Sequence, residues 1–163
     1  MWKYLKTRYS LGVVISSTAF LALGLSHAPA FAQAPEPEPA IVWTVGDPGL
    51  QWGPCPAFLP EGCEIAVLHG DPAKENADIF FRVPAGSEIP LHRHTSAERM
   101  VLVEGELQVT YEGQYPTVLK SGTYAYGPAG RPHAARCAAG GPCVLFIAFE
   151  APVDAAPVEI GPE

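Results

Sequence analysis

Sustained helical periodicity is the first thing this chain lacks. After residue 25 no 3.6-residue spacing of apolar side chains holds for more than about two turns, which excludes a helical bundle. Basic residues are scarce as well, with ten Lys and Arg against seventeen Asp and Glu. Three of the ten, Lys3, Lys6 and Arg8, sit at the N-terminus, and no Lys/Arg run follows them. Binding to a phosphate backbone draws on such a run to displace counterions, so nucleic acid and anionic membrane surfaces are excluded as partners. The apolar stretch 11–25 is shorter than the ~20 residues of a spanning helix, so no stable membrane insertion is expected. The four cysteines, Cys55, Cys63, Cys137 and Cys143, form no CxxC-like knuckles, which excludes a cysteine zinc site.

What is present begins with a leader. Lys3, Lys6 and Arg8 precede the apolar stretch, and Ala30-Phe31-Ala32 supplies a small-x-small cleavage pattern. Residues 1–32 therefore read as a secretory signal peptide cleaved after Ala32, giving a periplasmic or secreted protein. No Cys follows the cleavage pattern, against a lipoprotein. Cleavage takes three basic residues and no acidic one, leaving seven against seventeen, a net charge of −10. That charge serves solubility. The remaining 131 residues (163 less 32) are enough for one modest core. All four cysteines enter an oxidising compartment, which favours disulfides. Sequence proximity favours Cys55–Cys63 and Cys137–Cys143 among three possible pairings, each contributing roughly 2–3 kcal/mol.

Residues 33–40 form an acidic Pro-rich linker, 41–150 the folded domain, and 151–163 a flexible tail of similar composition to the linker. Within the domain, short apolar runs broken by Gly, Pro and Asp predict an all-β fold. The expected strands are 65–68, 79–83, 91–94, 100–103, 106–111, 117–120, 123–126, 134–137 and 144–150. Leu107, Val109 and Tyr111 alternate with polar residues, as on a strand with one wet face. Residues 100–103 do not alternate, so both faces of that strand should be covered, by the segment 41–62 or by a second copy in a homodimer. Trp43, Trp52 and Phe58 in that segment are the covering candidates, although its prolines argue against regular structure there.

Two segments carry the chemistry: Gly86-x5-His92-x-His94-x3-Glu98-x6-Gly105 and Gly122-x5-Pro128-x-Gly130-x2-His133. Nine fixed positions, each at a background of roughly 5%, exclude accident. His92 and His94 are two apart on an expected strand and so share a face. With Glu98 and His133 they give three imidazoles and one carboxylate. That donor set suits Fe, Mn, Zn, Ni or Cu and not calcium, and on a five- or six-coordinate metal it leaves one or two positions open. Isolated histidines are usually surface or core residues, and His69 before Gly70-Asp71-Pro72 reads as a strand end rather than a ligand.

The two segments resemble the motifs of the cupin superfamily, and the resemblance covers residues 79–150. The first motif matches at every fixed position, while the second has Cys137 where the family usually has Asn. The resemblance implies a single double-stranded β-helix, or jelly-roll barrel, with one divalent metal inside, held by His92, His94, Glu98 and His133. It does not name a reaction, since cupins include dioxygenases, isomerases, lyases, sugar-binding modules and seed storage proteins. The expectation is a metal-dependent enzyme acting on a small oxygenated compound, dioxygenase-like with Fe. Lyase or isomerase chemistry with Zn, Mn or Ni is the alternative, as is a binding module without turnover. Met100 and Leu102 share the phase of Glu98 and should line the cavity, while Arg93 should point away. No Lys or second carboxylate stands out as a general base. Tyr124 and Tyr126 are the candidate hydroxyl donors, or else a packed aromatic pair, and Arg82 and Arg99 are candidate carboxylate receptors. Cys137 either pairs with Cys143 or faces the cavity as a thiol.

Overall fold

In the computed structural model, residues 37–159 are described; the expected leader, His27, the first half of the expected linker and the last four residues of the expected tail lie outside them. The described residues form eleven strands and no helix. In chain order these are β1 (Trp52–Pro54), β2 (Glu64–His69), β3 (Ala77–Val83), β4 (Glu88–Arg93), β5 (Glu98–Glu104), β6 (Glu106–Tyr111), β7 (Thr117–Lys120), β8 (Tyr124–Gly127), β9 (His133–Cys137), β10 (Cys143–Phe149) and β11 (Ala156–Pro157). They build two antiparallel sheets, β1-β2-β3-β10-β5-β8 and β11-β4-β9-β6-β7, the jelly-roll arrangement expected from the sequence.

The unbroken apolar runs fall where both faces of a strand are covered. β3 and β10 pair in the middle of the larger sheet, and β10 pairs with β5 on its other side. Their register sets Phe81, Leu145 and Leu102 in one row and Ile79, Ile147 and Met100 in the next. These residues belong to the main core, which also takes Leu107, Val109 and Leu119 from the smaller sheet. On the other face of β3 and β10, Phe80 and Val144 join Leu50 and Ala66 in a second cluster. Trp52 stacks on Phe80 at 6.4 Å between ring centroids, and Arg82 lies 3.9 Å above the Trp52 ring. Val103 packs into the same cluster, so this chain's own N-terminal segment covers the outer side of the 100–103 run.

Two expectations need correction. Trp52–Pro54 is a strand despite its proline, because β1 is the edge of its sheet and Pro54 sits at the last paired position, where a missing N–H is tolerated. Residues 151–159 are not a loose tail. Val153 N–H donates to the Pro72 carbonyl at 2.8 Å, Ala156 and Pro157 pair with Arg93 and His92, and Val158 N–H donates to the Leu91 carbonyl at 3.0 Å. Composition alone hid these backbone bonds.

At the turn between β5 and β6, Gly105 has φ of 88°, and a side-chain carbon there would meet the Pro142 carbonyl oxygen at 2.5 Å. Only glycine fits. The close approach brings Cys143 beside this turn, and Cys143 is bonded to Cys137. Both sulfurs belong to the main core, with Cys137 fully buried. Cys55 and Cys63 form the other disulfide, closing the loop between β1 and β2. No free thiol is present, so Cys137 is not a cavity thiol.

Denatured, unreduced protein should therefore show no titratable thiol. Replacing Cys137 and Cys143 together by Ser should cost about 3–5 kcal/mol by urea unfolding, because two buried hydroxyls replace a core crosslink. The Cys55/Cys63 pair, nearer the surface, should cost about 2–3 kcal/mol. Equal losses for the two pairs would overturn this assignment of the core crosslink.

Candidate metal centre

β4 and β9 place the first two imidazoles. His92 at the end of β4 pairs directly across the ladder with His133 at the start of β9, and their ring centroids are 4.3 Å apart. His94, just beyond β4, lies 4.9 Å from His92 and 5.3 Å from His133. The three imidazoles bring ligand atoms within 4.8 Å of one another. Glu98, the first residue of β5, closes the group from the other sheet, with Oε1 3.3 Å from His94 Nε2 and Oε2 3.5 Å from His133 Nε2. All four side chains are nearly out of contact with solvent.

The opposite edge of each ring is tied to the backbone. His92 Nδ1 meets the Pro90 carbonyl at 2.8 Å, His133 Nδ1 meets the Arg131 carbonyl at 3.2 Å, and His94 Nδ1 meets the Asp154 carbonyl. A carbonyl only accepts, so each Nδ1 carries the proton and each Nε2 presents a lone pair to the centre. This tautomer is the one that outer-shell carbonyls impose on metal-binding histidines.

The connection from His94 to Glu98 is held from outside. Asp154 accepts from Thr95 N–H at 2.9 Å and from the Thr95 hydroxyl at 2.8 Å. Buried Ser96 accepts from the N–H groups of Glu150 and Ala151 at 2.9 and 3.0 Å and donates to the Ala97 carbonyl at 2.8 Å. Thr95, Ser96 and Asp154 were not legible as site residues. The first two fill unspecified motif positions, and Asp154 lies 60 residues from His94.

Burial dominates the electrostatics. It pushes His92 down to about 4 and His133 down to about 3, and it lowers His94 as well. It raises Glu98 to about 8, with the Asp154 carboxylate adding to the effect. At neutral pH the rings are thus uncharged and Glu98 holds a proton, so the His–Glu approaches are not salt bridges. His94 Nε2 is buried without a hydrogen-bond partner despite its closeness to Glu98. Three inward lone pairs, one orphaned, and an adjoining carboxyl are a donor set that fits a divalent transition metal.

The expected hydroxyl donors are elsewhere. Tyr124 and Tyr126 stand 59% and 52% exposed, because β8 turns Ala125 and not its tyrosines toward the core. Arg82 pairs with Glu64 and Arg99 with Glu150, so neither reaches the cavity, and Arg93 is exposed as expected. Met100 lines the cavity, whereas Leu102 is buried in the core beyond its wall. The phenol at the site is Tyr111, 5.0 Å ring to ring from His133. Its hydroxyl is buried and unpaired, and burial together with Glu98 raises its pKa, keeping it a neutral donor. A side-chain carbon on Gly127 would sit 2.9 Å from that hydroxyl and 3.1 Å from Glu98 Oε2, so glycine leaves these two oxygens their space. The alternation of β6 signalled that Tyr111 points inward.

The imidazoles open onto a cavity of about 200 Å³ inside the barrel. A model of the cupin domain matches residues 79–149. A cupin-2 domain from Rhodospirillum rubrum aligns at 16% identity and TM-score 0.61, over 76% of this chain and 85% of that one. A cupin 2 conserved barrel protein from Rhodopseudomonas palustris aligns at 18% and 0.56, over 67% and 77% respectively. A DMSP lyase from Ruegeria pomeroyi aligns at 22% and 0.57, over 66% of this chain and 60% of that one. The chain thus spans about three fifths of the DMSP lyases it matches, and these identities show a shared fold alone. No curated protein matches the sequence. Both motifs, the two-sheet barrel and the family match agree: residues 79–149 are a cupin domain.

Proposed function

We propose that this cupin is an exported, metal-dependent enzyme whose ligands are His92, His94, Glu98 and His133 and whose substrate is a small organic molecule. The observation that carries the reading is the convergence of three Nε2 lone pairs, each fixed by a carbonyl on Nδ1, at the wall of an internal cavity. A purely structural site uses all its positions, whereas four protein ligands leave one or two open on a five- or six-coordinate metal. The domain boundaries proposed with it are a leader 1–32 removed after Ala32 and a barrel over 41–150, to which 151–159 contributes β11. Two disulfides are consistent with an oxidising compartment, and no helix among the described residues is long and apolar enough to cross a membrane.

A bound metal would supply a Lewis acid or, as iron, a centre for O2 chemistry. The residues of this chain would orient the ligand and exclude water. Glu98 would give up its proton on coordination, and Tyr111 would hold a neutral hydroxyl beside it. Tyr111 is absent from the cavity wall, so it supports Glu98 rather than touching substrate. Dioxygenation with iron remains the leading reaction. Lyase chemistry is compatible with the fold, since DMSP lyases share it.

Purified protein should hold one divalent transition metal per chain, and H92A/H94A should fall below about a tenth of that occupancy by elemental analysis. A double variant that keeps its metal refutes the site. Below pH 8 the metal must displace the Glu98 proton, so affinity should rise about tenfold per pH unit from pH 6 and level off near 8. Competition with a chelating dye reads this slope, and E98Q should flatten it. Iron-loaded protein should consume O2 with an organic substrate from a panel of catechols, flavonols, thiols and keto acids. Turnover of the same panel without O2 uptake, in Zn- or Mn-loaded protein, moves the assignment to lyase or isomerase chemistry.

A further inference from the structure

Among the described residues, Asp154 is the one polar side chain on the cavity wall apart from the four proposed ligands, and its carboxylate is already engaged by Thr95. The rest of the wall is aliphatic or aromatic, with Ile79, Phe81, Val109, Leu119 and Ile147 among it. Among the described residues, no Lys, Arg, Ser, Thr, Asn or Gln faces the space. The arginines adjacent in sequence to wall residues are engaged elsewhere or exposed: Arg82, Arg99 and Arg136 pair with Glu64, Glu150 and Glu88, and Arg93 is exposed. An ionic or hydroxyl-rich ligand would therefore lose water without gaining a partner beyond the metal, at a cost of several kcal/mol per buried charge.

The shape follows from the ladder. Tyr111 pairs with His133 and Leu107 with Cys137, so Leu107, on the wall, lies four residues along β6 from the level of the histidines. At about 3.3 Å per residue this spans roughly 13 Å from the metal end toward the Cys137–Cys143 disulfide. At about 200 Å³ the space is near the ~150 Å³ of an apolar cavity known to hold benzene. Exposed Pro56 and Asp154 also line it and so mark its mouth, where the loop closed by Cys55–Cys63 faces the segment 153–155.

We propose that the barrel selects a ligand with one oxygen-bearing chelating end and one uncharged apolar body, the size of a single six-membered ring or a branched chain of similar volume. The selection of the chelating end rests on the metal reading above; the selection of the body does not. Sugars, dicarboxylates and zwitterions are disfavoured by the same wall.

The test uses three hydroxamates that share one chelating head, titrated calorimetrically into Zn-loaded protein. Benzohydroxamate should bind about tenfold or more tighter than acetohydroxamate, and 4-carboxybenzohydroxamate should lose that gain. Ala135→Leu, which fills part of the wall, should remove the advantage of the ring while acetohydroxamate still binds. Equal affinity for benzohydroxamate and acetohydroxamate, or full retention of affinity by the carboxylated probe, would overturn the proposal. A second arm needs no metal: toluene should raise the thermal midpoint of metal-free protein by a few degrees, and benzoate should not. Failure to load zinc with a toluene-specific shift would overturn the metal site and leave the apolar selection standing. A benzoate shift equal to that of toluene, or no shift with toluene, would overturn the selection itself.

Discussion

Four ionisable side chains share one desolvated space, and the rest of this structure is arranged around making that tolerable. Charging any of the imidazoles there is opposed by burial, and so is ionising Glu98. The metal-free centre is consistent with neutral groups because each Nδ1 proton has a carbonyl and the Glu98 carboxyl retains its own proton. The two sheets keep water out, and the backbone rather than other side chains satisfies the outer edges of the rings. A centre built this way keeps nitrogen lone pairs facing inward before anything binds, which is the preorganisation that a metal site requires.

The source of those carbonyls explains why irregular segments matter as much as strands. Pro90 and Arg131 lie two residues before the histidines they serve, so the local chain path sets two rings almost automatically. His94 depends instead on a distant segment. The same residue that accepts from its ring also clasps the Thr95 backbone and hydroxyl, and Ser96 ties the next position to the end of β10. The stretch from His94 to Glu98 is thus fixed at several points between two of the proposed ligands.

Much of this was legible in the sequence. Glycines at fixed intervals and apolar runs of strand length located nine of the eleven strands among the described residues, and the spacing of three His and one Glu picked out side chains that the barrel brings together. The missed strands, β1 and β11, are short edge pairings formed mainly by backbone bonds, which composition does not report. The tyrosine was misplaced for a related reason. Tyr124 and Tyr126 share a face, but which face depends on the pairing of β8 with β5, and that pairing directs Ala125 inward. Tyr111 could have been chosen on its alternation with Leu107 and Val109. The Cys137–Cys143 pairing suggested by proximity matches the structure, and the Gly105 turn explains why those sulfurs occupy the core.

The bond from His94 to the Asp154 carbonyl also sets an order of assembly. Synthesis delivers His92, His94, Glu98 and His133 before it delivers residue 154, and until then only two of the three rings have their backbone partner. A nascent or shortened chain that stops before Asp154 therefore carries every proposed ligand but lacks the backbone acceptor of the His94 ring. The His94 ring is thus the last of the three to gain its backbone partner.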